Sequence, residues 1–261
     1  MSISDSVTVC ITTSPIPRHP STDMIERVIN SVRFHLPTAK IMVLFDGVRP
    51  NVEFRRWHYV GYMQHLKQMI DSGQFGNAGW MDHVEYTQQA QMMKNAIGVN
   101  VTTPLILFCG HDEELVTTHN PRDGYKETLP EDCIIQWGSL ADTLLAGDLN
   151  MIRFYAWEKI WPEHQHLMHG EFESHGARYV RTTQYSQWPN LATTEFYKHI
   201  LNTYFVLGER KMIELGMYGP VVSSPWEKFK IGIYYPGENN RRMYHLNGRA
   251  DETGKQDPVD W

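Results

Sequence analysis

Short apolar segments alternate with amphipathic ones along the first half of the chain. Residues 7–13 (VTVCITT) are nearly all apolar and partly β-branched, which predicts a strand that is covered on both faces. Residues 40–45 (KIMVLF) and 104–109 (PLILFC) predict two more buried strands. Apolar side chains at helical spacing predict helices over 23–36, 53–70 and 88–97, and 83–86 predicts a short strand. Strands that alternate with helices favour a parallel sheet with right-handed crossovers.

The second half of the chain has a less regular pattern. It predicts strands over 151–155 and 177–182, helices that begin near 130 and at 194, and a last strand before a turn and a basic run. The His-rich residues 164–176 are interpreted as a solvated loop. Because no internal repeat or low-complexity linker interrupts the chain, we expect one α/β domain over 1–261.

Polar side chains stand directly after three of the predicted buried strands. They are Thr13-Ser14, Asp46-Gly47 and Gly110-His111-Asp112. Because open parallel sheets bind ligands beyond the carboxyl ends of their strands, we expect these clusters to meet at one edge. The acids from Asp112 to Glu114 offer oxygen ligands that suit Mg²⁺ or Mn²⁺. Acids also follow a strand simply because the chain leaves the core, and the residues alone leave both interpretations open.

Composition excludes several classes of protein. The chain has 261 residues, 24 Lys and Arg against 30 Asp and Glu, a net charge of −6 and 41% hydrophobic residues, which excludes disorder, collagen and coiled coil. No apolar run approaches the ~20 residues of a membrane span. The N-terminal residues MSISDSV do not read as a signal peptide, and three cysteines do not form a disulfide framework. We therefore expect a cytoplasmic protein, and the negative charge argues against a dedicated nucleic-acid binder.

Four segments of the first half follow one another along the chain. A predicted strand ends in ITTSP, a second ends in FDG, a predicted helix carries MMKNAIG, and the segment TPLILFCGHDEEL comes last. This order resembles that of the GT-A nucleotide-sugar glycosyltransferases. The resemblance implies a GT-A fold, a Rossmann-like and mostly parallel sheet flanked by helices. It further implies that residues 1–115 form the nucleotide-binding half of the domain and residues 116–261 the acceptor-binding half.

The resemblance also implies roles for particular residues. The donor nucleotide and its phosphates would be contacted by Thr12, Thr13, Ser14, Asp46 (at the base), Lys94, His111 and Arg249, the last within a cationic segment over the diphosphate. Asp112 would be the last acid of the DXD motif, and His245 would complete the coordination of Mn²⁺ or Mg²⁺. Gly110 stands where the first Asp of the motif normally stands. Metal binding would then depend on Asp112 with a ligand from elsewhere, or the enzyme would be metal-independent.

The second half supplies candidates for catalysis and acceptor binding. Glu214, in RKMIELGMYGPV, resembles the position where inverting members place the carboxylate that takes the proton of the acceptor hydroxyl. Glu227 is the second candidate for this base, and an exposed structural Glu is the alternative for both. The segment QYSQWPN predicts an acceptor wall formed by Gln187, Trp188 and Asn190. A tight turn anchored by a buried Trp is the alternative there.

These residues and the resemblance together predict a metal-dependent glycosyltransferase that uses a nucleotide diphosphate sugar, expected to be a UDP-sugar. Inversion at the anomeric carbon is favoured, and retention is the alternative, because the outcome depends on where the base lies relative to the donor. A glycan, a lipid-linked sugar, a protein and a hydroxymethyl base in phage DNA are all compatible acceptors. The main alternative is a non-catalytic module that binds a nucleotide-sugar or a glycan, because Gly110 replaces an acid. A third hypothesis, a zinc hydrolase, depends on the histidines at 164, 166, 169 and 175, whose spacing matches no zinc motif.

Overall fold

The computed structural model describes residues 2–117, 135–237 and 239–248. The strands of these residues are Val7–Thr13 (β1), Lys40–Phe45 (β2), Ala78–Asp82 (β3), Leu105–Gly110 (β4), Glu113–Leu115 (β5), Met151–Arg153 (β6), Met168–Ser174 (β7), Ala177–Thr182 (β8), Asn190–Thr193 (β9), Ile231–Tyr234 (β10) and Met243–His245 (β11). The α-helices are Asp23–His35 (α1), Arg56–Asp71 (α2), Gln88–Val99 (α3), Trp137–Leu145 (α4), Thr194–Tyr204 (α5), Ile213–Val222 (α6) and Trp226–Phe229 (α7).

Nine strands form one sheet in the order β3-β2-β1-β4-β9-β6-β10-β8-β7. The first four in this order are parallel to one another, as the alternation of strands and helices predicts. β9 lies antiparallel to both β4 and β6 and so joins the two halves of the chain in one sheet. Beyond it, β10 is parallel to β6, and β8 and β7 add antiparallel strands. The α/β class is confirmed, with a parallel core and a mixed second half.

The central strand β1 shows why the sheet holds helices on both faces. Every residue of β1 is buried, and successive side chains point to opposite faces of a strand. Val9 and Ile11 pack in a core with buried residues of α1, α2 and α4. Cys10, between them, packs in a second core with residues of α3, α5 and α6. Both faces are therefore covered, as the apolar run predicts.

The structure corrects the sequence interpretation at two edge strands. β3 lies at Ala78–Asp82, whereas 83–86, where a strand was expected, is irregular. Among the described strands β3 pairs only with β2, and it is partly exposed, so its sequence lacks a long apolar run. The His-rich segment is no solvated loop, since it contains most of the 3₁₀ turn Pro162–Leu167 and the strand β7, which forms a hairpin with β8. Polar residues fit β7 because it is the other edge of the sheet.

Smaller differences concern the ends of elements. The helix expected over 53–70 begins at Arg56, because a 3₁₀ turn at Pro50–Arg55 precedes it. The end of the chain holds two strands, β10 and β11, where one was expected. The expected helix start near residue 130 lies outside the described residues, and α4 is described from Trp137. Among the described residues, no helix combines the length and apolar character that crossing a bilayer requires.

Candidate active site

A cleft of about 250 Å³ opens at the carboxyl edge of the parallel strands. It brings together the three polar clusters that follow β1, β2 and β4, as the strand order predicts. Three later parts of the chain also line it: the segment before β9, the start of α6, and residues 245–248 at and after the end of β11. The expected site residues that line it are Thr12, Thr13, Ser14, Asp46, His111, Asp112, Gln187, Trp188, Glu214 and His245.

The carboxyl end of β1 is fixed by hydrogen bonds from both sides. The backbone N–H of His111 donates to the carbonyl of Thr12 at 3.0 Å, and the N–H of Asp46 donates to the carbonyl of Thr13 at 2.9 Å. The hydroxyl of Thr13 lies 3.1 Å from that of Tyr62. These two threonines are buried, so Ser14 is the more accessible of the three residues expected to contact a nucleotide.

The carboxylate of Asp46 anchors the start of α3. Its Oδ1 accepts hydrogen bonds from the backbone N–H of Gly47 at 2.8 Å and of Thr87 at 2.7 Å. Its Oδ2 accepts one from the N–H of Gln88 at 3.1 Å. Burial raises the pKa of Asp46, and these N–H groups oppose the rise. Oδ2 keeps room for another donor, so anchoring the helix is compatible with contacting a ligand.

Asp112 and His245 come together although 132 residues separate them in the chain. The antiparallel pairing of β5 with β11 places His245 opposite Glu113, and its Nε2 lies 3.3 Å from Oδ2 of Asp112. The N–H of Gly248 donates to the same oxygen at 3.0 Å. Burial alone would raise the pKa of Asp112, but the charges of His111 and His245 and this N–H group lower it. Asp112 is therefore held as a carboxylate at the mouth of the cleft.

Gly110, at the first DXD position, is packed against a neighbouring acid. The carboxylate of Glu113 turns back and accepts the backbone N–H of Gly110. A Cβ at Gly110 would lie 3.1 Å from the Glu113 carboxylate and 3.2 Å from Oδ1 of Asp112. Burial raises the pKa of Glu113, and the charge of Asp112 raises it further. The space beside Gly110 therefore already holds two acids, one of which favours its neutral form.

Glu214 stands in the first turn of α6 and faces the cleft. Burial raises its pKa, while the charge of Arg153 and the backbone N–H of Gln187 lower it. Arg153, at the end of β6, is fully buried, and its Nη1 donates to the carbonyl of Gln184 at 2.9 Å. Its Nε and Nη2 have no hydrogen-bond partner within the described part of the chain. The buried cation of Arg153 therefore lies near the carboxylate of Glu214, which the sequence analysis predicts to be the base.

Three expected site residues lie elsewhere, and a fourth is not described. Lys94, on α3, does not line the cleft. Glu227 lies in a separate surface pocket with Trp226 and Arg181. Asn190 is buried in β9, where its Oδ1 accepts the hydroxyl of Tyr197 and its Nδ2 donates to the carbonyl of Trp188.

In the described part of the chain, cations of the expected C-terminal segment donate hydrogen bonds to backbone carbonyl groups. The side chain of Lys230 donates to the carbonyl of Gly147, and that of Arg241 donates to the carbonyl of Ala156. Arg242 is fully buried. Arg249, expected at the diphosphate, lies outside the described residues.

Two glutamines at the start of α3 line the cleft although the sequence did not single them out. The Oε1 atoms of Gln88 and Gln89 are buried without a hydrogen-bond partner among the described residues. Gln88 also has a φ of 65°, in the left-handed region that non-glycine residues rarely adopt. Unpaired buried acceptors and local backbone strain are typical of ligand sites. Arg49, whose guanidinium lies 5.0 Å from the ring of Tyr86, also lines the cleft.

Comparison with solved structures identifies the fold. GalNAc-T7 with UDP, GalNAc and Mn²⁺ matches with a TM-score of 0.54 and 11% identity, over 93% of this chain and 44% of that chain. S. aureus TarS 1–349 matches with a TM-score of 0.50 and 12% identity, over 92% and 60%. S. aureus TarS matches with a TM-score of 0.51 and 12% identity, over 92% and 36%. The protein has the GT-A glycosyltransferase fold.

The GT-A likeness is one of structure, over part of longer proteins. The chain spans less than two thirds of the length of each of these three structures. No protein-family model matches the chain, and no curated protein matches it by sequence.

Within this GT-A fold, Asp112 and His245 offer two donors to a cation. Within 2–117, 135–237 and 239–248, no group of three or more His, Cys, Asp or Glu side chains is arranged to hold a metal. His169, one of the histidines considered for zinc, instead contacts the hydroxyl of Thr183 at 3.0 Å. A carboxylate with an imidazole suits Mn²⁺ better than Mg²⁺, and such cations take further ligands from substrate phosphates and water. Asp112 and His245 therefore fit a cation whose remaining ligands come from the phosphates of a diphosphate and from water.

Proposed function

We propose that this protein is a glycosyltransferase that moves a sugar from a nucleoside diphosphate to a hydroxyl acceptor, with inversion at the anomeric carbon. One observation carries the proposal: Ser14, Asp46, the Asp112–His245 pair and Glu214 line one cleft in a GT-A fold. They come from five separate parts of the chain, and each has the chemistry that one part of this reaction requires.

Asp46 and Ser14 would bind the nucleoside. The free acceptor capacity of Asp46 Oδ2 suits a base that presents an N–H, as uracil does. We favour UDP as the nucleotide, because GalNAc-T7 was solved with UDP. The unpaired Oε1 atoms of Gln88 and Gln89 suit the hydroxyl groups of the ribose or of the donor sugar.

Asp112 and His245 would hold a divalent cation, for which Mn²⁺ is the best candidate. When bound, this cation supplies positive charge that stabilises the departing diphosphate. Mn²⁺ is also present in the GalNAc-T7 structure. An Asp carboxylate is ionised at neutral pH, and the N–H of Gly248 helps to hold that of Asp112 in this form.

Glu214 would act as the general base. Its carboxylate takes the proton of the acceptor hydroxyl while that oxygen forms a bond to the anomeric carbon of the sugar. The bond from the anomeric carbon to the diphosphate oxygen breaks, and its electron pair leaves with the nucleoside diphosphate. A carboxylate with a raised pKa is a stronger base than an ordinary Glu, and the nearby charge of Arg153 favours its ionised form.

Thermal denaturation with UDP, in the presence and absence of Mn²⁺, tests the proposal. We expect UDP with Mn²⁺ to raise the melting temperature of the parent protein more than UDP alone does. The Asp112→Asn variant should lose this additional rise that Mn²⁺ causes. Asp142→Asn, which changes an exposed acid on α4, is the matched control and should behave like the parent. If UDP, GDP and their sugar conjugates all leave the melting temperature unchanged, the proposed function is wrong.

A non-catalytic module that binds a nucleotide-sugar is the second candidate function. It is favoured by Gly110, beside which the acids Asp112 and Glu113 leave little room for another carboxylate. Turnover separates the two candidates. The enzyme should release UDP from a UDP-sugar with Mn²⁺, to water or to an acceptor, whereas a binding module would show only the thermal shift.

A further inference from the structure

We propose that three tryptophans beside the cleft, Trp188, Trp157 and Trp161, form an acceptor subsite for a carbohydrate chain. We name these residues the tryptophan ladder. The inference rests on the proposed glycosyltransferase function, because it assigns the class of acceptor that the same cleft would use. Only Trp188 was singled out from the sequence, and the other two extend the site beyond the cleft.

The ladder leads from the cleft to the protein surface. Trp188 lines the cleft, and the centroid of its ring lies 4.4 Å from that of Trp157. The ring of Trp157 lies in turn 4.1 Å from that of Trp161. Trp161 is 38% exposed, and the ring of His164 stacks near it at 5.9 Å and 19°. The outer end of the ladder therefore keeps exposed aromatic surface on which a ligand can pack.

The loop that carries Trp157 and Trp161 is tied to a distant part of the chain. The amide of Asn240 donates to the carbonyl of Glu158 at 2.8 Å. The N–H of Arg242 donates to the carbonyl of Tyr155 at 2.7 Å. The guanidinium of Arg241 donates to the carbonyl of Ala156, which lies between Tyr155 and Glu158 in the chain. Because the loop is already fixed, binding a ligand on it costs little ordering entropy.

The chemistry of the ladder favours a carbohydrate. One face of a pyranose ring presents mainly C–H groups, which remove water from a flat indole when they pack on it. Its hydroxyl groups need polar partners at the edge of such a platform. Gln187 supplies one beside Trp188, since its Oε1 is buried without a partner among the described residues. An apolar platform with a few fixed polar atoms is the usual form of a small-molecule or glycan site.

Charge argues against a hydroxylated DNA base as the acceptor. DNA binding requires a track of Lys and Arg along the phosphates. Residues 157–163, which carry Trp157 and Trp161, hold Glu158 and Glu163 against one cation, Lys159, and the whole chain has a net charge of −6. A neutral oligosaccharide meets no such electrostatic penalty.

Titration with oligosaccharides tests the inference. Neutral pentasaccharides (maltopentaose, cellopentaose, chitopentaose and mannopentaose) and a single-stranded oligonucleotide containing 5-hydroxymethylcytosine are titrated by calorimetry with UDP and Mn²⁺ present. We expect at least one saccharide to bind, Trp161→Ala to weaken that binding about tenfold, and Trp161→Phe to restore most of it. Trp57→Ala is the matched control, because Trp57 is 82% exposed on α2. It should bind like the parent.

Each other outcome overturns the inference. It is wrong if the oligonucleotide binds in preference to every saccharide, if no saccharide binds, or if Trp161→Ala binds as the parent does. It is also wrong if Trp57→Ala loses as much affinity as Trp161→Ala. The melting temperatures of all variants are measured alongside, so that a folding defect is recognised. UDP binding to the parent decides the proposed function separately, since a protein that binds UDP but no saccharide fails only the inference.

Discussion

Replacing Glu214 with Gln removes a proton acceptor from the cleft with little change in its shape. The Gln side chain keeps an oxygen that can accept the backbone N–H of Gln187, as Glu214 does. A positioned general base contributes about 10²- to 10⁴-fold to a rate. We therefore expect sugar transfer to fall by about 10²- to 10⁴-fold, or about 3 to 5 kcal/mol in activation free energy. UDP binding should be unchanged.

The same variant should alter the pH dependence of the rate. Burial raises the pKa of Glu214 above its ordinary value of 4.5, and the charge of Arg153 and the Gln187 N–H only partly oppose this. Because a base must be ionised, the rate of the parent should fall as the pH drops through this raised pKa. The acidic limb should thus lie above pH 4.5 and be missing from the residual activity of Glu214→Gln.

Stability should change in the opposite direction to activity. A carboxyl group whose pKa is raised by folding stabilises the protein while it is protonated, fully so below the unfolded value of 4.5. That stabilisation is lost as the pH rises through the folded pKa. Gln resembles the protonated form at every pH. We therefore expect Glu214→Gln to match the parent near pH 4 and to be more stable than the parent at pH 7.5.

Two assays and one control check this reasoning. UDP release from a UDP-sugar is measured between pH 5 and 9, and urea unfolding is measured at pH 4 and 7.5. Glu227→Gln is the matched control, since that acid is exposed and lies outside the cleft. Activity within tenfold of the parent in Glu214→Gln, or a comparable loss in Glu227→Gln, would refute the assignment of the base. Lower stability of Glu214→Gln at pH 7.5 would refute the electrostatic argument.

Two further substitutions probe the acids and the cation around the cleft. Gly110→Asp restores the residue of the DXD motif but crowds the carboxylate of Glu113. We therefore expect the free energy of unfolding to fall by about 1 to 3 kcal/mol. A free energy of unfolding in urea equal to that of the parent would contradict this. Arg153→Met removes hydrogen bonds to Gln184. It also removes two buried nitrogen atoms, Nε and Nη2, that have no partner among the described residues, so we expect its stability to stay within about 2 kcal/mol of the parent. Its activity at pH 6 relative to pH 8 should fall, because the buried cation favours an ionised base, and an unchanged ratio would exclude that role.

Much of the first half of the fold was predictable from the sequence for a simple reason. β1, β2 and β4 are buried on both faces, so each is a continuous apolar run that few other structures explain. The edge strands β3 and β7 were missed because only one neighbour and partial burial constrain them. Their sequences contain Gly and polar residues that also fit a loop.

The candidate site was predictable to the extent that it follows from strand ends. Ser14, Asp46 and Asp112 stand just after buried strands, so the rule for parallel sheets places them together. Glu214 and Glu227 could not be separated in this way, because both are acids in the first turn of a short helix. Only the packing of α6 and α7 in the second half puts one in the cleft and the other outside.

The residues that sequence reasoning could not find share one property. They stand out only because of their burial and of the hydrogen-bond partners that they have or lack in the folded chain. Arg153 is an ordinary basic residue in the sequence, and only the structure shows it buried, with its pKa lowered to about 10 by burial and held up mainly by Glu214. Gln88 and Gln89 become notable only because their carbonyl oxygens are buried and unpaired among the described residues. Each of these features opposes folding, because a buried charge or an unpaired acceptor has lost its water. All three residues lie on or near one cleft, together with Glu113, whose pKa is raised by burial. This concentration argues that the cleft is shaped for a ligand, whose hydroxyl and phosphate groups would supply the missing partners.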